Sequence, residues 1–314
     1  MLNRIYFNAV FGGLGGLLGW MLFGIFAQKD APDDQVRNQL ALGGALIGGS
    51  IGYFLVGSEA LRDRSPLRFF RLGTYGLLLG AIGGAPGMLL GDYVLYQLTS
   101  TNRPGDAVAL AGAMLARGLG WILLGVAVGF SEGLAARSLG KMTYGAIGGA
   151  LGGLLGGAIF GLAVEQSRGR EALGPLWGAL GLVILGAMIG SLSALVQAAF
   201  QPASVRVLRG WQEGREYSLA RADNVVGRDE HADVALFRDM RVEKNHALIR
   251  RRGQRYVLVN RNSPPDFTRV NGEPVNGACD LKDGDRIELG GVLLRFQMRA
   301  GRSAPRSRSA ALRN

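Results

Sequence analysis

The sequence predicts an α-helical transmembrane bundle followed by an all-β C-terminal sandwich. Two observations support this fold class. Most of the 51 glycines, and all the long apolar runs, lie before residue 200. Beyond it the chain consists of short apolar segments separated by turn residues, which is typical of a β-sandwich. We therefore expect a transmembrane domain over 1–200, a cytoplasmic domain over 201–298 and a basic disordered tail over 299–314.

The membrane domain is predicted from six apolar segments. Each contains about 18 residues or more, which is enough for a helix to cross a hydrocarbon core of about 30 Å. The first segment is too long for a cleaved signal peptide, so we interpret it as a retained span. The segments cover approximately 5–27, 40–57, 73–98, 108–134, 143–164 and 175–199.

The spans form an internal repeat. Tyr6, Tyr75 and Tyr144 are 69 residues apart, and each opens a glycine-rich span. This period predicts three tandem helical hairpins. Glycine lets helix backbones approach closely in lipid, which favours a packing role for these residues. The alternative is that the glycines line a pore, although no row of polar side chains recurs along the spans.

A few ionisable residues lie within the predicted spans or at their ends. They are Glu59, Asp92, Arg117 and Glu132. Charged groups at membrane depth are candidates for transport. Because Glu59, Arg117 and Glu132 lie near span ends, snorkelling to the membrane surface is the favoured interpretation.

The orientation of the spans follows from their basic loops. The loop between the second and third spans, 62–71, carries four arginines and predicts a cytoplasmic location. Six spans across the cell (inner) membrane then place both termini on its cytoplasmic side. The net charge of +11 is spread along the chain, which argues against a nucleic-acid partner. Basic segments beside a membrane instead predict contact with membrane lipid.

The C-terminal region contains recognisable strands. Tyr256–Val259 is one apolar strand, and Arg286–Leu289 and Val292–Met298 flank Gly290-Gly291. This spacing predicts a hairpin with a two-residue turn that needs positive φ. Short strands that repeat about every 8–12 residues predict a sandwich whose function lies in the loops at one end.

Four motifs in this region occur in a characteristic order. They are Gly227-Arg228, His246-Ala-Leu-Ile249, Val270-Asn-Gly272, and Leu281–Ile287 followed by Leu289-Gly290. In this order, over about 204–298, they resemble the forkhead-associated (FHA) domain, a β-sandwich that reads phosphothreonine in partner proteins. The whole chain resembles a multi-pass bacterial membrane protein with a C-terminal FHA domain.

The resemblance assigns roles to individual residues. It implies that Arg228 grips the phosphate, since a guanidinium matches anionic oxygens. It also implies that Gly227 and His246 are structural residues of the binding loops. The predicted set of partner-binding residues is Arg228, Glu243, Lys244, Asn245, Asp266, Thr268 and Asn271.

Two acidic residues depart from the family pattern. Glu243 occupies the position of the usual phosphate-binding serine, and Asp266 that of the usual peptide-gripping asparagine. A carboxylate repels a dianionic phosphate. Three alternatives stay open: a partner phosphorylated by a Ser/Thr kinase, a phosphate-independent protein partner, and a transporter or channel that the domain regulates.

Catalytic motifs are lacking in the sequence. It has one cysteine, Cys279, and two histidines, with no ligand spacing among them, so no metal site is predicted. We find no nucleophile paired with a base and no Walker-type loop. The protein is therefore expected to be a non-enzymatic membrane-anchored signalling adaptor without a cofactor.

Overall fold

The computed structural model describes residues 2–26, 32–62, 66–99, 107–136, 138–167, 174–261 and 263–298. The chain divides into two compact units, Met1–Phe200 and Gln201–Asn314. The predicted disordered tail, 299–314, lies outside the described residues.

The first unit is helical, and six helices in its described part are long and apolar enough to cross a membrane. Each predicted apolar segment falls on one of them. The helices often extend beyond the apolar run, as where α2 starts at Asp33 although its apolar run starts near residue 40. The helices are α1 (Leu2–Phe26), α2 (Asp33–Arg62), α3 (Pro66–Thr99), α4 (Ala107–Ala135), α5 (Leu139–Ser167) and α6 (Gly174–Phe200).

The six helices form a closed ring. Each packs against its neighbours in sequence, and α1 packs against α6. Glycines allow the close approach: a Cβ placed on Gly149 would collide with the carbonyl oxygen of Gly125, and a Cβ on Gly12 would collide with that of Gly186. These glycines therefore contact backbone across helix interfaces, as the packing interpretation predicts.

The centre of the ring is filled with apolar side chains, contributed mainly by the even-numbered helices. Ile51 of α2, Leu124 of α4 and Leu185 of α6 are completely buried there. Each is flanked on its own helix by further members of the same cluster. Since interiors pack as densely as organic crystals, this cluster closes the axis with hydrocarbon.

One end of the helical unit carries a polar layer, formed by Arg4, Glu59, Glu132, Lys141 and Gln197. Glu132 accepts a hydrogen bond from the amide nitrogen of Gln197, and Arg4 donates to the Gln197 amide oxygen. Lys141 Nζ lies 3.2 Å from Glu59 Oε1. The interpretation that Glu132 snorkels is wrong, because only 7% of this residue is exposed. The approach of α6 supplies a buried donor that the position in the sequence could not reveal.

The second unit is a sandwich of two sheets. One has six strands in the order β2-β1-β11-β10-β7-β8, and the other has five in the order β4-β3-β5-β6-β9. A 3-10 turn, Pro265–Phe267, precedes β7. The strands are β1 (Ala203–Arg209), β2 (Glu216–Ser218), β3 (Asp223–Gly227), β4 (Val234–Ala235), β5 (Ala247–Arg252), β6 (Arg255–Asn260), β7 (Thr268–Val270), β8 (Glu273–Pro274), β9 (Ala278–Leu281), β10 (Arg286–Leu289) and β11 (Val292–Met298).

The predicted hairpin is confirmed. Leu289 pairs with Val292, so the turn contains two residues, and Gly290 has a φ of 59°. Alternate residues of β11 point inward, and Leu294 and Phe296 are completely buried. The sandwich has its own hydrophobic core, all of it contributed by residues after 202. This unit therefore buries its apolar surface without help from the helices.

The sandwich has two ends, which we name the loop end and the entry end. The loop end holds the end of β3, the start of β5 and the start of β7. The entry end holds Ala203, the first residue of β1, which pairs with Met298. Leu219 N donates to Ala203 O (3.0 Å) and Arg251 N donates to Ala222 O (2.6 Å), which brings the β5–β6 hairpin to the entry end.

Candidate partner-binding loops

The first element of the site is the turn after β3. A Cβ added to Gly227 would collide with the carbonyl oxygen of Lys244 and lie 2.9 Å from that of Glu243. Glycine is required here by this close approach. It lets Arg228 N donate to Glu243 O (2.9 Å), which joins the turn to the loop before β5.

The Arg228 side chain is held in a defined orientation. Its Nε donates to Val242 O at 3.0 Å, and its Nη1 lies 3.5 Å from the sulfur of Met240. In the described part of the chain, Nη2 has no partner. The guanidinium is thus fixed at the loop end while part of its donor edge faces solvent, which suits an anionic or carbonyl-bearing ligand.

His246 joins two loops from the interior. Its Nδ1 accepts from Glu243 N at 3.1 Å, and its Nε2 lies 3.0 Å from Thr268 Oγ1. Because Nδ1 is an acceptor, we assign the proton to Nε2, which donates to Thr268. Both side chains are completely buried. Thr268 therefore braces the loops in this structure, and we move it from the partner-facing set to the structural set.

Burial of His246 makes its hydrogen bonds to Glu243 N and Thr268 sensitive to pH. It lowers the pKa of His246 below its ordinary value of 6.5, because burial disfavours the imidazolium. The pKa of His246 is therefore lower in the folded state than in the unfolded state. The resulting stabilisation of the folded state is complete above about pH 6.5 and is lost as the pH falls through the folded-state pKa. Urea unfolding of fragment 201–298 should show this loss between pH 7.5 and 5.5.

His246→Gln is the control for that measurement. The variant should begin less stable, because it loses the imidazole bonds, and it should be nearly insensitive to pH over this interval. The carboxyl groups with lowered pKa values, Asp223, Asp229 and Asp239, titrate below 3.8 and outside it. An equal pH slope in both proteins would contradict the assignment to His246.

The remaining polar residues of the loop end face solvent. Glu243, Lys244 and Asn245 are exposed on the loop before β5. Asp266 is also exposed, on the 3-10 turn before β7, with its Oδ1 4.0 Å from Arg269 Nη2. The structure thus places these four side chains, with Arg228, on loops at one end of the sandwich.

Asn271 does not lie at the loop end. It lies at the other end of β7 from Thr268, where Asn271 N donates to Arg286 O (2.8 Å). Its side chain bonds Asp285 and the backbone of Arg286. With φ values of 53° and 89°, Asn271 and Gly272 form the two-residue turn between β7 and β8. The partner-binding role predicted for Asn271 is therefore replaced by a turn role, which its Asn-Gly dipeptide could have indicated.

The sequence interpretation missed two contacts that shape the loop end. Asp239 accepts from Arg241 N (3.0 Å) and from Gly291 N (2.7 Å), which ties the loop before β5 to the β10–β11 turn. The Arg238 guanidinium lies 3.6 Å from the ring centroid of Trp211. An aspartate bonding the backbone two residues ahead is a recognisable turn signal, whereas the stacking pair has no local signature.

A comparison with protein families matches the second unit. A family model described as "Inner membrane component of T3SS, cytoplasmic domain" matches residues 206–300. A structure from a study of phosphothreonine-dependent FHA domain interactions is 34% identical, with 31% of this chain and 97% of that chain covered and a TM-score of 0.28. The C-terminal unit is a forkhead-associated domain.

Two further solved FHA domains are similar. The FhaA FHA domain, complexed with the intracellular domain of Rv3910, is 32% identical over 30% of this chain and 99% of that chain (TM-score 0.27). The first FHA domain of Rv1747 from Mycobacterium tuberculosis is 28% identical over 31% and 97% (TM-score 0.25). A search of curated proteins found no match. FHA domains are protein-interaction modules.

Proposed function

We propose that this protein is a membrane-anchored signalling adaptor whose FHA domain binds a protein partner through the loop end. The observation that carries the proposal is the fixed orientation of Arg228, set by Val242 and Met240. A preoriented guanidinium loses little entropy on binding. The related FHA domains, one studied for phosphothreonine-dependent interactions and one complexed with an intracellular domain, support a protein as the ligand.

The loop end is acidic for a phosphate site. Glu243 and Asp266 are exposed beside the proposed contact surface, and Asp229 directly follows Arg228. Lys244 and Arg228 supply the opposing positive charge. Since a nearby carboxylate repels phosphate, we infer that the natural partner is bound with a weak phosphate contribution or none.

Restoring the family pattern tests this inference. Glu243→Ser with Asp266→Asn should raise the affinity of fragment 201–298 for phosphothreonine peptides about tenfold or more. The reason is that the variant removes two repulsive carboxylates, and about 1.4 kcal/mol corresponds to each tenfold change. Adding Arg228→Ala should abolish the gain. The measurement is titration of a phosphothreonine peptide library and its unphosphorylated twin against each protein.

Two outcomes would change the proposal. Micromolar, phosphate-dependent binding by the unmodified domain would show that the acidic residues do not weaken the site. Equal binding of both libraries by every variant would indicate a phosphate-independent partner surface. The serine and asparagine variants leave the His246–Thr268 brace unchanged, so a loss of folding should not confuse the comparison.

We also propose that the six helices anchor the protein in the inner membrane, with both termini cytoplasmic. The four arginines of segment 62–71, where α2 ends and α3 begins, support that orientation. A transporter or channel is the alternative function. The completely buried Ile51, Leu124 and Leu185 favour an anchor, because they fill the centre of the ring with apolar side chains.

A further inference from the structure

The entry end of the FHA domain is unusually rich in arginine. The β5–β6 hairpin reads Arg250-Arg-Arg-Gly-Gln-Arg255, and Arg252 and Arg255 at its tip are exposed. Arg250 pairs with Asp223 (2.8 Å), and Arg251 Nε donates to Gly253 O (2.9 Å). In the described residues no carboxylate is within ion-pair distance of Arg252 or Arg255. We name these two residues the arginine tip.

A second group of arginines lies on the outer face of the six-stranded sheet. Cross-strand pairing places Arg206 opposite Arg295, and Arg295 opposite Arg286. All three side chains are exposed. We name them the arginine row. Like charges directly opposite one another are destabilising in a sheet, so the row carries a cost that folding alone does not explain.

The surrounding acidic groups leave the arginine row largely uncompensated. Glu216 is opposite Arg206 at one edge of the row, but among the described residues no ion pair joins them. Asp283 and Asp285 lie near the entry end, and each already accepts a backbone hydrogen bond: Asp283 from Met298 N at the end of β11 (2.8 Å) and Asp285 from Lys282 N in the turn before β10 (2.7 Å). Among the described residues, no ion pair engages the arginines of the row or the tip.

The length of the connecting chain indicates which anionic surface is available. Helix α6 ends at Phe200, and β1 starts at Ala203. Arg206 is thus six residues from the end of a membrane-spanning helix, a distance of at most about 20 Å along an extended chain. The arginine row and tip lie at or near the entry end, so this short tether keeps them within reach of lipid headgroups.

We propose that the arginine row and the arginine tip bind the anionic phospholipid headgroups of the membrane that the same chain spans. Guanidinium groups match phosphate oxygens in geometry and charge. Basic residues beside an anionic leaflet add binding strength one by one, at about fivefold in affinity for each residue. The contact holds the FHA domain by its entry end, which leaves the loop end for the partner.

Vesicle sedimentation of fragment 201–298 tests the proposal. This fragment contains its own core and omits the basic tail, which would bind lipid itself. It should bind vesicles of phosphatidylcholine with phosphatidylglycerol and ignore vesicles of phosphatidylcholine alone. Binding should weaken at high salt, because exposed charges are screened.

Matched double variants locate the surface. Arg206→Gln with Arg295→Gln, or Arg252→Gln with Arg255→Gln, should each reduce affinity for the anionic vesicles about 25-fold. The control is Arg209→Gln with Arg241→Gln, which removes the same charge from exposed positions toward the loop end and should retain binding. Circular dichroism checks that every variant is folded.

Three results would overturn the proposal: no binding to anionic vesicles, an equal loss in the control, or tight binding of polyglutamate through the same arginines without vesicle binding. The last would identify a surface for an acidic protein. Peptide binding at the loop end is a separate measurement on the opposite end of the domain, so failure of either proposal is distinguishable from failure of the other.

Discussion

Gly149→Leu combined with Gly153→Leu is expected to abolish stable folding of the helical unit. A Cβ on Gly149 would collide with the carbonyl oxygen of Gly125, and one on Gly153 with that of Trp121. Backbone carbonyls cannot rotate away as a side chain can. Helices α4 and α5 would have to separate along their whole interface, and overpacking costs about 1–3 kcal/mol or more at each site.

Thermal unfolding of full-length protein in detergent measures this effect. Gly24→Leu is the matched control, since it makes the same substitution in a span at a position where a Cβ would meet nothing within 4 Å. The control should stay monodisperse and unfold near the temperature of the unmodified protein. Unchanged unfolding of the double variant would refute the packing role. Ion flux through the reconstituted protein that the same double variant abolishes would favour the channel alternative.

Gly227→Ala should destabilise the FHA domain by about 3 kcal/mol and remove partner binding, because the added methyl group would collide with the Lys244 carbonyl oxygen. The loop before β5 would have to move away. That movement would break the bond from Arg228 N to Glu243 O and disturb the orientation of Arg228.

Gly253→Ala provides an informative comparison. Gly253 has a φ of 64°, which disfavours alanine, but a Cβ there would meet nothing within 4 Å. We expect a cost of about 1–2 kcal/mol from the backbone conformation alone, with partner binding retained. Urea unfolding of fragment 201–298 carrying either substitution measures the two losses of stability. A larger loss for Gly253→Ala than for Gly227→Ala would show that φ matters more than the close approach.

The sequence predicted those parts of the fold that local chemistry determines. The Gly290-Gly291 turn and its two flanking strands were located correctly, because a two-residue turn fixes the register of its hairpin. The six spans were also found, since a membrane requires long apolar runs. The start of α2 was missed because the polar residues from Asp33 onward contain nothing that breaks a helix.

The binding site was predicted less completely. The family resemblance orders its motifs along the chain, but it does not say which end of a short strand each residue occupies. Asn271 was therefore assigned to the wrong end of β7, and Thr268 was taken for a contact residue although it is buried. The contacts of Arg228 with Val242 and Met240 depend on loop geometry that forms only when two sheets pack together.

The polar layer has a consequence for biogenesis. Spans enter the membrane from the N-terminus, so Glu132 of α4 is inserted before Gln197, which lies near the end of α6. Until α6 arrives, the carboxylate lacks its amide donor and Arg4 lacks the amide oxygen that it bonds. A nascent chain stopped before α6 thus lacks the side chain that bridges Arg4 and Glu132 by hydrogen bonds. Completion of the last helix is the event that closes the ring.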